Sequence, residues 1–168
     1  MHREFFGDLK LGGIVELGIK AVLKRWRFKV LPLNKDKRHD ILAIKNGQQV
    51  KIEVKGDFAS RRTGNIAIEY FHNGSPSGID ATEAHFWWIK AKRKDASISS
   101  FFESLILPVP VLKQIISERK YHTNFKGGGD KGVTDMYLFS FEVLEQYSLP
   151  YKDEQICDLL LENLPSTN

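Results

Sequence analysis

Apolar residues recur along this chain at two spacings, and each spacing predicts a different kind of element. Between residues 9 and 26 they recur every three or four positions, which is typical of an amphipathic helix. In residues 39–58 and 65–71 apolar and polar positions alternate, which predicts strands that bury one face. Further strands are predicted at residues 28–33, 86–89, 101–107 and 137–141, and further helices near Thr82, at 109–119, and from Asp153, a candidate N-cap, to Leu164.

The order of these elements predicts an α/β fold with a central mixed β-sheet flanked by helices. A leading helix is followed by a run of strands, which differs from a regular alternation of strand and helix. The basic residues of 59–64 and the clustered glycines of 125–132 predict loops. A chain of 168 residues is long enough to bury a core as one domain, so we expect a single domain over residues 1–168.

One predicted hairpin places chemically informative residues opposite each other. Asn46-Gly47 is a strong signal for a two-residue turn, which puts Lys45 opposite Gln48. Counting outward one residue at a time then places Asp40 opposite Glu53. Lys55 lies on the same face as Glu53 because side chains alternate with a period of two. The other face carries the apolar residues expected in a core: Ile41, Ala43, Val50, Ile52 and Val54.

Two facing carboxylates are not expected in a purely structural hairpin. Like charges directly opposite each other destabilise a sheet by roughly 0.2–1 kcal/mol. A divalent cation between Asp40 and Glu53 would convert this repulsion into coordination, and Mg²⁺ is commonly held by one or two carboxylates. A neighbouring lysine could then orient a water or stabilise charge on a phosphate, a set suited to phosphodiester hydrolysis. The competing interpretation is an ordinary solvated Glu53–Lys55 pair, and Glu118 and Lys120 show the same spacing.

Composition and charge limit the class of protein. With 42% hydrophobic and 27% charged residues, the chain has the composition of a globular protein. It contains no apolar run near the ~20 residues of a membrane span and no apolar signal region at its start, so we expect an intracellular protein without membrane contact. The single cysteine, Cys157, is interpreted as a core residue of the last helix, and the five histidines show no zinc-ligand spacing.

The net charge of +4 conceals an uneven distribution. Residues 142–168 carry six acidic side chains and one basic one, whereas the rest of the chain carries 24 basic and 15 acidic ones. This basic surplus favours a polyanionic partner.

The hairpin residues resemble the PD-(D/E)XK nucleases, a superfamily that includes many restriction enzymes, Holliday junction resolvases and some homing endonucleases. Asp40 matches the family aspartate, Glu53-Val54-Lys55 matches the (D/E)XK element, and Glu16 on the leading helix matches a further carboxylate. His39 stands where the family motif often has proline. The resemblance covers residues 9–91, and residues 92–168 are a family-specific elaboration. Residues 63–70 and 76–79 also look similar to small resolvase-like or phage-type nucleases.

The resemblance implies a restriction-endonuclease-like sandwich and a Mg²⁺-dependent DNA endonuclease that hydrolyses phosphodiester bonds. Asp40, Glu53, the carbonyl of Val54 and Glu16 would hold Mg²⁺, for which Mn²⁺ would substitute, and Lys55 would position or activate the attacking water. Glu69, on the following strand, is an alternative to Glu16.

Several interpretations of the substrate and partners remain open. Lys51, Arg61 and Arg62 are candidate DNA contacts, although Arg61 and Arg62 could also be a solvated loop. The small size favours a junction resolvase-like, structure-specific enzyme, and the alternative is a sequence-specific homing or restriction-type endonuclease. Because one site makes one nick, we expect a homodimer or higher assembly. A non-catalytic nucleic-acid-binding module, or a generic α/β protein with a chance hairpin, is the alternative of another class.

Overall fold

The computed structural model describes residues 2–32, 38–128, 133–151 and 156–165, with side chains described from Gly12 onward. Its first half contains α1 (His2–Arg25), β1 (Lys29–Leu31), β2 (Ile41–Lys45), β3 (Gln48–Asp57), α2 (Ser60–Thr63), β4 (Asn65–His72), β5 (Ser75–Pro76) and α3 (Gly78–Ala81). Its second half contains β6 (Phe86–Ala91), β7 (Glu103–Pro108), α4 (Val109–Ser117), β8 (Thr123–Gly128), β9 (Thr134–Ser140), α5 (Phe141–Tyr147) and α6 (Ile156–Glu162).

The described strands form two sheets. The first has five strands in the order β1-β2-β3-β6-β7 and is mixed, because β3 and β6 run parallel while the other neighbours are antiparallel. A parallel pair needs a crossover, and the segment from α2 to α3 provides it. The second sheet has the order β5-β4-β9-β8 and is antiparallel. The predicted α/β class with a central mixed sheet is confirmed.

The first sheet buries both of its faces. On one face, Ile52 and Phe86 pack with Ile19 and Leu23 of α1 and with Leu160 of α6. On the other face, residues of the first sheet such as Trp87 and Ile89 pack with residues of the second sheet such as Ile66 and Phe139. Because Glu53 is in register with Trp87, its side chain points toward the second sheet. The carboxylate face of the hairpin is therefore partly covered by protein.

Three predicted elements differ from the structure. Residues 59–64, predicted as a loop, contain α2. The helix predicted to start near Thr82 is α3, which lies earlier, at Gly78–Ala81, and has Thr82 as its C-cap. Residues 125–128 of the predicted glycine-rich loop belong to β8, because pairing with β9 satisfies their backbone groups. Asp153, the predicted N-cap, and residues 129–132 lie outside the described residues.

Among the described helices, none combines the length and the apolar character that a membrane crossing requires.

Asp57 connects the two sheets at the end of β3. Its side chain is buried, its Oδ1 accepts a hydrogen bond from the backbone N–H of Ser60 at 3.0 Å, and its Oδ2 accepts one from the N–H of Ala67 at 3.0 Å. The same carboxylate thus supports the start of α2 and fixes β4 against the first sheet. It is a structural carboxylate that the sequence pattern alone did not single out.

Replacing Asp57 with asparagine is expected to lower the free energy of unfolding by about 1–2 kcal/mol, because the amide NH₂ leaves one buried N–H without an acceptor. Urea denaturation at neutral pH measures this change. Asp158, which is exposed on α6, provides the matched control, since among the described residues its carboxylate accepts no hydrogen bond and forms no ion pair. Equal stability of the two variants would contradict this role of Asp57.

Candidate active site

The turn at Asn46 and Gly47 sets the register of the hairpin. Both residues have positive φ angles, 51° and 78°, as a type I′ turn requires, and glycine adopts this conformation without a steric cost. The observed pairs run from Lys45 opposite Gln48 to Ile41 opposite Ile52. Beyond the last pair, the N–H of Asp40 donates to the carbonyl of Ile52 at 3.0 Å, one residue off the register that would pair Asp40 with Glu53. The predicted register is thus observed from Lys45 to Ile41, and Asp40 lies at its end, where it lines the same cavity as Glu53.

A backbone hydrogen bond orients the Asp40 carboxylate. The N–H of Val54 donates to Asp40 Oδ2 at 2.7 Å. In an extended strand the N–H and C=O of one residue point to the same side, so the carbonyl of Val54 also points to the side on which Asp40 lies. Asp40, just before β2, and the Val54 carbonyl, on β3, thus point into the same region from adjacent segments of the hairpin. Glu53 directly precedes Val54.

The two carboxylates oppose each other's ionisation. Burial, followed by the negative charge of Asp40, raises the pKa of Glu53 to about 7, although the positive charge of Lys55 acts in the opposite direction. Burial also raises the pKa of Asp40, while the hydrogen bond from Val54 opposes that rise. Both groups are only partly exposed. A site that disfavours two negative charges in this way gains free energy when a cation enters it.

Both candidates for a third carboxylate lie close enough to influence this pair. Glu16 forms an ion pair with Lys20 on α1, and its charge raises the pKa of Asp40 while that of Lys20 lowers it. Glu69 on β4 accepts a hydrogen bond from Ser77 Oγ at 2.6 Å, and its charge contributes to the raised pKa of Glu53. The structure thus places one candidate beside each member of the pair, each with a partner of its own.

A cavity of about 300 Å³ opens beside the pair. One wall is the hairpin, and the other is the segment that leads from β5 into α3. The lining residues are Arg38, His39, Asp40, Glu53, Pro76, Ser77, Gly78, Ala81 and Thr82. The β5–α3 wall was not assigned to the site by the sequence, although residues 76–79 are among those that look similar to small resolvase-like or phage-type nucleases.

The β5–α3 segment lies against β4 through a close backbone contact between Gly78 and Glu69. Gly78 has a φ of 46°, and a side chain there would overlap the carbonyl group of Glu69. The approach coincides with an irregularity in the pairing of β4 with β9 between Glu69 and Phe71. Such bulges occur frequently next to functional sites, because they redirect side chains.

Replacing Gly78 with alanine is expected to destabilise the protein by about 2 kcal/mol, since the methyl group must displace β4 or α3 and the residue keeps an unfavourable φ. Thermal unfolding measures the loss. Gly18→Ala is the control, because nothing lies within 4 Å of its added methyl group on the exposed face of α1. Gly78→Ala should also disturb the Ser77–Glu69 hydrogen bond, and a fully stable variant would contradict the tight contact.

The donor set fits Mg²⁺ with few protein ligands. Within the described residues, no group of three or more His, Cys, Asp or Glu side chains is arranged to hold a metal ion. Asp40, Glu53 and the Val54 carbonyl would offer an ion two carboxylate oxygens and one neutral oxygen. This is sufficient for Mg²⁺, which usually retains several waters and shares phosphate oxygens of its substrate.

The predicted DNA contacts differ in their surroundings. Lys51 lies 3.9 Å from the carboxylate of Glu83, so its charge is partly compensated. The guanidinium of Arg61 donates to the carbonyl of Ala96 at 3.2 Å. Arg62 is exposed and, within the described part of the chain, forms no ion pair. Arg62 is therefore the cation of the three that is best placed to bind a phosphate.

No protein-family model and no curated protein matches the sequence. Among solved structures, the chain is similar to a bacterial homing endonuclease, with a TM-score of 0.49 and 18% identity over 90% of this chain and 91% of that one. Chains that are alike at this distance can differ in function, so the function of this protein has to be inferred from its site residues.

Proposed function

We propose that the protein is a Mg²⁺-dependent endonuclease that hydrolyses phosphodiester bonds in DNA. The observation that carries the proposal is the pair Asp40 and Glu53, which line one cavity and whose pKa values are both raised. Lys55 lies on the same face of β3 as Glu53. Two acids held together in a partly buried site are costly unless a cation joins them. The basic surplus of the chain supports a polyanionic substrate.

The residues of the chain have separate roles in this proposal. Asp40 and Glu53 hold the ion together with the Val54 carbonyl, and the Val54 N–H keeps the Asp40 carboxylate in place. When bound, the ion supplies positive charge beside the phosphate. Lys55 lies two residues from Glu53, about 7 Å along the strand, and offers N–H donors to the attacking water or to a phosphate oxygen.

A third carboxylate would complete the site. Glu16 acts on Asp40 from α1, and Glu69 acts on Glu53 from β4. Each already has a partner, Lys20 for Glu16 and Ser77 Oγ for Glu69. We favour Glu16, because a carboxylate on the leading helix is what the resemblance to the PD-(D/E)XK nucleases implies. Glu16→Gln should then weaken cleavage more than Glu69→Gln does.

Cleavage assays on three substrates test the proposal and distinguish a structure-specific enzyme from a sequence-specific one. Four-way junctions, plain duplex and a random-sequence duplex library are each incubated with Mg²⁺ and, in parallel, with EDTA. A resolvase-like enzyme cuts the junction preferentially, whereas a homing or restriction-type enzyme enriches one sequence from the library. Cutting of both strands of duplex would fit a homodimer, since each site makes one nick.

The same assays distinguish the proposed nuclease from a non-catalytic nucleic-acid-binding module. That module would bind DNA with an affinity that falls with salt but would cut none of the three substrates. Calorimetry would in that case show no uptake of Mg²⁺ or Mn²⁺ in the millimolar range. Mg²⁺-dependent cleavage that disappears with EDTA is the result that our proposal requires.

A further inference from the structure

The loop formed by residues 93–102, which connects β6 to β7, exposes two large apolar side chains. Ile98 is 79% exposed and Phe101 is 93% exposed, the highest values for large apolar side chains among the described residues. They lie three positions apart, and each keeps nearly all of its surface in water. Burial of that surface against a partner would be favourable, so the pair is a candidate contact.

The loop is nevertheless ordered, because the side chain of Lys92 binds its backbone. Lys92 is only 8% exposed, and its ammonium donates to the carbonyls of Ile98 at 2.7 Å and Ser97 at 3.4 Å. The same ammonium lies 4.9 Å from the ring centre of Phe102. A turn closes the tip, since Ser100 Oγ donates to the carbonyl of Ser97 at 2.7 Å. A preordered tip loses little conformational entropy on binding.

Exposed positive charges lie both in this loop and in α2, and hydrogen bonds connect the two segments. The N–H of Asp95 donates to the carbonyl of Arg61 at 2.9 Å, and the Arg61 guanidinium donates to Ala96. Arg62 and Lys94 are exposed and, within the described residues, form no ion pair. Asp95 is the exposed acid between them. A partner with negative charges and apolar faces fits this arrangement.

The position of the loop favours DNA over a membrane surface. The loop starts beside the end of β3, since Ala91 pairs with Asp57, which lies four residues beyond Glu53, or about 13 Å along the strand. The start of the loop is thus separated from Glu53 by about four base-pair steps. Two apolar side chains are a small area for membrane binding, whereas one or two inserted side chains are enough to open a base step.

We propose that Phe101 and Ile98 form a wedge that inserts between neighbouring bases of DNA, a few base pairs from the bond that is cut, while Arg62 and Lys94 contact the flanking phosphates. The inference rests on the proposed function for the identity of the partner. It adds a local opening of the DNA as part of substrate recognition. Base stacking on an aromatic side chain tolerates many sequences, so the wedge would recognise deformable sites rather than particular bases.

The test measures DNA binding and base unstacking in Ca²⁺, with 2-aminopurine placed at successive positions of a duplex and of a junction. Wild-type protein is expected to raise the fluorescence at one position near the cut site. Phe101→Ser should abolish that rise and weaken binding by roughly tenfold. The salt dependence of binding should stay unchanged, since no phosphate contact is lost, whereas Arg62→Ala should lower its slope by about one. Phe101→Trp should retain the fluorescence rise.

Leu17→Ser is the matched control, because Leu17 is an apolar side chain on α1 with 66% exposure. It should change neither affinity nor fluorescence. If wild-type protein cuts DNA but Phe101→Ser binds and unstacks it equally well, the wedge is wrong and the proposed function stands. If Phe101→Ser loses binding to anionic vesicles and not to DNA, the loop contacts membranes instead. If wild-type protein neither cuts nor binds DNA, both proposals fail.

Discussion

Replacing Lys55 with alanine is expected to reduce the rate of DNA cleavage by at least about a hundredfold, with little change in DNA affinity or stability. Removal of one preorganised group that stabilises charge in a transition state commonly has an effect of this size or larger. Lys55 shares the face of Glu53, and within the described residues it forms no ion pair that would give it a structural role. Asp40→Asn should have at least as large an effect, because it removes a charged ligand.

Lys29→Ala is the control for Lys55→Ala. Lys29 is an exposed lysine on β1, which lies two strands from β3 in the same sheet, and it lies outside the lining of the cavity. Single-turnover cleavage at saturating DNA compares the three variants with the wild type, and circular dichroism confirms that each is folded. Full activity of Lys55→Ala or of Asp40→Asn would refute the assignment of that residue.

The second large effect is a pH-dependent stabilisation by Glu53→Gln in the metal-free protein. The pKa of Glu53 rises from its ordinary value of 4.5 to about 7 in the folded protein. The folded state therefore binds the proton more tightly than the unfolded state, and the stability of the wild type falls as the pH rises between these two values. At about 1.4 kcal/mol per pKa unit, the loss by pH 8 is about 3.5 kcal/mol.

Glutamine carries no charge at any of these pH values, so the variant escapes this loss. Urea unfolding in EDTA should show similar stability of wild type and Glu53→Gln near pH 4.5 and a more stable variant at pH 8. Glu162→Gln, an exposed glutamate at the end of α6, controls for the loss of a surface charge. Mg²⁺ should stabilise the wild type at pH 8 and the variant much less. If the difference in the free energy of unfolding between wild type and Glu53→Gln does not depend on pH, the raised pKa of Glu53 in the folded protein is wrong.

The sequence predicted the hairpin well because the information is local. Asn46-Gly47 determines the turn, and the turn determines the register of the pairs from Lys45–Gln48 to Ile41–Ile52. This register brings Asp40 and Glu53 to the same end of the hairpin. The alternation of Ile41, Ala43, Val50 and Ile52 reinforces the same register, and all four are buried. Local propensity and burial agree here, which is the condition under which a pattern predicts structure reliably.

The remaining parts of the site depend on long-range contacts that no local pattern contains. β4 pairs with β9 across many intervening residues, so the second sheet was not predicted as such. The Ser77–Gly78 wall reaches the hairpin only because β4 folds over the Glu53 face. β8 was predicted as a loop because its glycines weaken a strand pattern, and pairing with β9 outweighs that local preference.

Diffraction from crystals grown with Mn²⁺ tests the central claim most directly, because anomalous scattering locates the ion independently of activity. The account predicts one anomalous peak with a carboxylate oxygen of Asp40 and one of Glu53 each at about 2.1–2.2 Å, and with the carbonyl of Val54 within the same shell. A peak bound by only one of these carboxylates, or no peak between them at millimolar Mn²⁺, would contradict the claim that the two acids share a cation.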